Sequence, residues 1–177
     1  MRAEPSHRAE MVNQALFGEA FEIVDRKNEW THIRLGHDGY MGWVLDRQIQ
    51  GITHESYRRL VDEPQALVSD AVDLIEHDSP SLTRTVVAGS PLPFYQPAEQ
   101  ILQVGSEAFL FQGRTAQRLR TREELLLNAY LYSNAPYLWG GRSAFGIDCS
   151  GLTQMAYRLT GFSLLRDASQ QATQGRT

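Results

Sequence analysis

The chain has 177 residues, 42% of them apolar and 21% charged, with 21 acidic against 17 basic side chains and a net charge of −4. That is the composition of an ordinary folded globular chain. No window offers the ~18–20 consecutive apolar residues of a bilayer-spanning helix, and MRAEPSHRAE lacks the apolar run of a secretion signal. A single cysteine, Cys149, excludes an internal disulfide framework and a thiolate zinc site. Sixteen arginines and one lysine, Lys27, are scattered through a mildly acidic chain, which argues against a surface that tracks nucleic-acid phosphates.

From Ala15 to Val44 short alternating runs are cut by turn residues. Phe21 and Ile23 precede Arg26; Thr31, Ile33 and Leu35 precede GHDGY; Trp43 and Val44 follow. These read as small antiparallel strands. Such strands have one apolar face and bury it by curling, so residues 1–52 are expected to form a small SH3-like β-barrel. A polar stretch from Thr53 to Gln65 separates this unit from a second strand set: Ala66–Val68, Val72–Ile75, Thr85–Ala88, Leu102–Val104 and Phe109–Phe111. Asp78 to Pro80, Gly89 to Pro93, Gly105 and Gly113 mark its turns. Residues 60–116 are therefore expected to form a second small SH3-like barrel.

The pattern changes at Thr121. TREE places a hydroxyl at a helix start and Glu124 three residues later, the spacing of a capping box. Leu125, Leu126, Ala129 and Tyr130 supply an apolar side, and Pro136 lies beyond the helix end. After WGGRSAFG a second helix is expected from about Cys149, carrying Leu152, Met155, Ala156 and Leu159 and ending before Gly161. Residues 120–177 thus form a third unit, helical at its start, and the whole chain reads as α+β.

Cys149 falls in the first turn of that helix. Unpaired backbone amides and the positive end of the macrodipole favour a thiolate there, the form that attacks carbonyl carbon. Asp148 can cap the helix, although its charge opposes the thiolate, so it has a structural or a substrate-binding role. Position alone leaves open the alternative that Cys149 is a small buried apolar residue.

The segment PYLWGGRSAFGIDCSGLTQMAYRLTGFSLLRDASQQ, residues 136–171, resembles the catalytic start of the NlpC-type papain-like cysteine peptidases of bacterial cell walls. Tyr137, Trp139, Gly140 and Gly141, then Asp148, Cys149, Ser150 and Gly151, then Arg166 and Asp167 with Gln170 or Gln171, occur in family order. The stretch from RAEPSHRAEMVNQALFGEAFEIVD to DGYMGW resembles the bacterial SH3-like module that precedes such a domain. The resemblance implies two SH3-like barrels followed by the N-terminal helical part of a papain-like domain, with Cys149 as nucleophile and a histidine as base. It implies hydrolysis of peptidoglycan stem peptides between γ-D-glutamate and a diamino acid, with L-alanine at a free amino terminus. It implies no metal and no organic cofactor, with muropeptides as the partners; nucleic acid and a membrane-spanning segment are already disfavoured by charge and composition.

A desolvated ammonium must be paired, so the pocket needs carboxylates and an aromatic lid. Asp148 fits, and Glu10 and Tyr40 are candidates from the first barrel. Tyr137 is placed near the nucleophile, Ser150 and the backbone around Cys149 at the substrate or oxyanion, and Asp167 in the cleft. Each has a plainer reading: Tyr137 as a packing aromatic, Asp167 as a helix cap in DASQQA, Glu10 and Tyr40 as solvated face or barrel packing.

In the family the base follows the cysteine, whereas His7, His32, His37, His54 and His77 all precede Cys149 here. The apolar side of the Cys149 helix is expected to need a covering sheet. Three readings follow: an incomplete piece of a longer enzyme, which leads because RAEP opens where a first barrel strand is expected; a second chain that supplies the sheet; or a degenerate protein without hydrolase activity. The chain as given reads as bacterial and cytoplasmic, or of the periplasm or cell envelope if a signal lies upstream. A second function stands beside the peptidase: a non-catalytic SH3-like module that binds wall peptides.

Overall fold

Alternation of apolar and polar residues builds the first sheet in the computed structural model, which describes residues 1–175. Strands β1 (Phe21–Lys27), β2 (Trp30–Leu35) and β3 (Met41–Leu45) pair antiparallel in that order. The two-residue turn between β1 and β2 places Asn28 at φ 55°, a left-handed conformation that asparagine tolerates better than most residues. Ile33, Leu35 and Val44 form a small core with Met1, Phe21, Tyr40 and Ile49 against it. Residue 2 runs alongside β3: Arg2 and Trp43 exchange backbone hydrogen bonds of 2.8 Å in both directions.

The polar stretch Thr53–Gln65 is not merely a connector. It contains helix α1 (His54–Asp62), capped by Thr53, whose hydroxyl accepts from the Ser56 amide. Arg58 with Asp62 and Arg59 with Glu63 are paired four residues apart on its surface. Such pairs are worth about 0.2–0.5 kcal/mol each, and none of the helix residues is buried, which is why apolar spacing did not announce it.

The second unit is built from short strands paired two by two. Strand β4 (Ala66–Leu67) pairs with β7 (Pro91–Leu92), β5 (Val72–Ile75) with β6 (Arg84–Val87), and β8 (Ile101–Val104) with β9 (Glu107–Leu110). Val68, Ile75, Val86, Leu92, Leu102, Phe109 and Phe111 make its core. Single bridges, Glu76 to Leu110 and Val68 to Thr115, connect the pairs. The architecture is mixed α and β with small open sheets; strands of two to four residues do not form one closed ladder among the described residues.

Helix α2 (Arg122–Tyr130) begins as the sequence indicates, with the Thr121 hydroxyl accepting from the Glu124 amide at 3.1 Å. The reciprocal half of the box is altered, because the Glu124 carboxylate accepts from Leu119 N–H at 2.5 Å rather than from Thr121. Its packed side also differs from the expectation: Leu126 and Tyr130 are exposed, together with Leu127, while Asn128 donates to Thr160. A small hairpin of β10 (Arg142–Ser143) and β11 (Gly146–Ile147) leads into α3 (Cys149–Thr160), followed by α4 (Ala168–Gln171). Gly161 at φ 100° ends α3 in the left-handed cap that the sequence indicates.

On the apolar side of α3, Met155 and Leu159 are fully buried in a cluster with Leu16, Ala88, Tyr132 and Ile147, and Leu152 packs half-buried against it. Gly89, at φ 81°, lies against this helix: a Cβ there would stand 2.1 Å from Met155 Cε. A buried ion cluster sits beside it. Glu19 takes two hydrogen bonds from Arg142 at 3.0 and 3.1 Å and one ion pair from Arg158 at 3.2 Å. Burial alone would raise the Glu19 carboxyl, but Arg142, His37 and Arg158 together lower it to about 2. No helix among the described residues is long and apolar enough to cross a membrane.

Candidate active site around Cys149

The loop from Pro136 to Gly141 turns back on itself because Gly140 adopts φ 75° with its Cα against the Met11 carbonyl, where a Cβ would come within 2.7 Å. This brings Gly140 N–H to Asp148, whose Oδ2 accepts at 2.8 Å. Asp148 is the N-cap of α3, and its Oδ1 accepts from Gly151 N–H at 2.7 Å. Gly151 is required there, since a Cβ would lie 2.3 Å from the Gly141 carbonyl oxygen.

Arg166 completes the group. Its two terminal nitrogens donate to both Asp148 oxygens, at 3.0 and 2.7 Å; one also donates to Ser150 Oγ at 2.8 Å, and Nε donates to Asn13 Oδ1 at 2.9 Å. Asp148 is 7% exposed and Arg166 2%. Burial pushes the Asp148 carboxyl up, and the Arg166 hydrogen bonds, the Gly151 and Gly140 amides and the Arg166 charge outweigh it, holding it below the usual carboxylate range. Both Asp148 oxygens are thus paired inside the protein, with the Gly140 and Gly151 amides and with Arg166. Ser150 is likewise buried, with its hydroxyl toward Arg166 and its carbonyl accepting from Gln171 Nε2 at 2.9 Å.

Cys149 is exposed, between these two buried neighbours. Near it in sequence, Tyr137 is 68% exposed and its backbone bridges to Ile147, while Trp139 is 58% exposed. The Trp139 indole N–H donates to Glu10 at 2.6 Å. Tyr40 lies near Asp167; burial first, then the Asp167 charge, raises the phenol above its ordinary value. Asp167 is also the N-cap of α4, with its amide donating to Gln170 Oε1. The fold therefore joins Glu10 and Tyr40, remote in sequence, to the segment that carries Cys149. Sequence reasoning gave no role to Arg166 or Asn13; a lone arginine behind two leucines in SLLRD was the available signal.

Four of the five histidines have other partners. His37 lies 3.1 Å from Asp38 and 3.7 Å from Glu19, His77 is 3.0 Å from Glu107, His7 is 3.5 Å from Glu29, and His32 stacks on Trp43. A cavity of about 320 Å³ between α1 and α3, lined by Glu19, His37, Gln154 and Arg158, does not include Cys149. Among the described residues no three His, Cys, Asp or Glu side chains gather to hold a metal ion.

Residues 1–49 match the family described as the bacterial dipeptidyl-peptidase SH3 domain, and residues 134–177 match the NlpC/P60 family. The chain is 27% identical over 175 residues to a gamma-D-glutamyl-L-lysine dipeptidyl-peptidase of Bacillus subtilis, with 92% of this chain and 58% of that protein covered. It is 28% identical over 184 residues to dipeptidyl-peptidase 6 of Lysinibacillus sphaericus, with 94% and 68% covered. A crystal structure of an NlpC/P60 family protein from Bacillus cereus superposes with a TM-score of 0.76 at 25% identity, over 93% of this chain and 60% of that one. The chain thus spans a little over half the length of the first of these relatives.

Proposed function

We propose, for a chain that carries an NlpC/P60 segment behind a dipeptidyl-peptidase SH3 domain, that Cys149 is the nucleophile of a cysteine peptidase acting on peptidoglycan stem peptides. The bond cleaved is that between γ-D-glutamate and a diamino acid, in a peptide that begins with free L-alanine. One observation carries this reading: Cys149 is exposed at the first turn of α3 while Asp148, Ser150 and Gly151 around it are buried and hydrogen-bonded. Glu10 beside Trp139, and Tyr40 beside Asp167, supply the carboxylates and aromatics that a free ammonium needs. Asp148 has its oxygens filled by Arg166, so Glu10 and Asp167 are the carboxylates that receive the amine. Tyr137 lines the approach to the sulfur, and the Cys149 backbone amide faces the developing oxyanion. The units 1–52, 60–116 and 120–177 act as two SH3-like barrels and a catalytic segment.

Attack by sulfur needs a base within hydrogen-bond reach. His7, His37 and His77 face carboxylates elsewhere, and His32 faces Trp43. The 177 residues alone are therefore expected to bind the tripeptide L-alanyl-γ-D-glutamyl-L-lysine with little turnover. That same placement of the histidines favours a second reading, peptide binding without hydrolysis. Alkylation separates them: a Cys149 thiol that reacts faster than free glutathione and is shielded by the tripeptide supports the peptidase, and an unshielded, sluggish thiol with retained peptide binding supports the binding module.

A further inference from the structure

A carboxylate immediately before a nucleophilic cysteine is a liability, because a fixed negative charge opposes formation of a second one beside it. The cap of α3 nevertheless requires an acceptor for Gly151 N–H, and Asp148 supplies it. The buried guanidinium of Arg166 lies on both oxygens of that carboxylate, 2.7 and 3.0 Å away. The same guanidinium holds Ser150 Oγ on one side of Cys149 and reaches Asn13 in the N-terminal unit.

We propose that Arg166 is a positioning residue for Cys149: it neutralises Asp148, so that the cap is kept without its charge acting on the thiol, and it locks the first turn of α3 against the N-terminal unit. The proposal rests on the reading of Cys149 as nucleophile. Arginine suits the task because its fork matches both carboxylate oxygens and stays charged when buried, which a lysine ammonium does not reproduce. The geometry also explains why Arg166 sits immediately before Asp167. One residue serves the buried face of the site, and the next turns outward to Tyr40.

The test is the rate of iodoacetamide alkylation of Cys149 at pH 7 in the 177-residue protein, in Arg166→Met and in Asp148→Asn, with circular dichroism to establish that each is folded. Removing Arg166 leaves the carboxylate uncompensated, so R166M is expected to alkylate about tenfold more slowly. D148N leaves the guanidinium uncompensated and is expected to alkylate faster than wild type. A purely structural role disturbs the turn in both variants and moves the two rates the same way; that result, or unchanged rates, overturns the proposal. If R166M does not fold, D148N decides alone: acceleration supports the charge role, and an unchanged or slower rate overturns it. A wild-type thiol no faster than glutathione contradicts the nucleophile reading, while opposite responses of the two variants still uphold the role of Arg166.

Discussion

Trp139 donates its indole N–H to the carboxylate of Glu10 at 2.6 Å, across 129 residues of sequence. This bond fastens the N-terminal unit to the loop that leads to Cys149 and leaves a carboxylate and an indole face together at the surface. Glu10→Gln keeps the shape and removes the charge. Calorimetry is expected to show about a tenfold loss of affinity for the free-amine tripeptide, about 1.4 kcal/mol, with little change for its N-acetylated form. Equal losses for both peptides would show that Glu10 does not receive the amine.

Glu19→Gln is expected to destabilise the fold by about 3–5 kcal/mol, because Arg142 and Arg158 are left as buried charges facing a neutral amide. Urea denaturation measures this.

The pH dependence of stability follows from the same cluster. Glu19 is lowered to about 2 from an ordinary 4.5, and Asp38 to about 2 from 3.8; in each, burial opposes and the neighbouring cations or His37 prevail. In the unfolded chain these carboxyls protonate first, so their stabilisation is complete above about pH 4.5 and fades as pH falls toward 2. Unfolding free energies of the wild type are expected to drop through that window more steeply than those of E19Q.

Two leucine-sized positions report whether α3 is covered by its own chain. Met155→Ala opens the buried cluster with Leu16 and Tyr132 and is expected to cost about 2–5 kcal/mol. Leu127→Ser on the open side of α2 is expected to stay within about 0.5 kcal/mol. Comparable losses at both sites would place an unrecognised partner on α2.

Local signals in the sequence located α3: an Asp148 cap, a start at about Cys149 and an end before Gly161 all depend on neighbours within the helix. Helix α1 escaped because its stability comes from a threonine cap and exposed ion pairs rather than from an apolar stripe. Of the expected apolar side of α2, Leu125 and Ala129 are half-buried while Leu126 and Tyr130 are exposed, because contact with Thr160 through Asn128 turns the packed side by part of a turn. The place of Cys149 in the first turn of α3 was legible from the cap and the helical spacing around it. Its supporting shell was not, since Asn13 with Arg166 and Glu10 with Trp139 are bonds between distant segments that only the assembled fold creates.

The most direct measurement is mass spectrometry of the protein after incubation with a chloromethyl ketone analogue of L-alanyl-γ-D-glutamate. A single adduct on Cys149 is expected, slowed by the free tripeptide and absent in Cys149→Ser. Labelling that the tripeptide does not slow, or a rate no greater than that of glutathione, would contradict the assignment of Cys149 as the nucleophile.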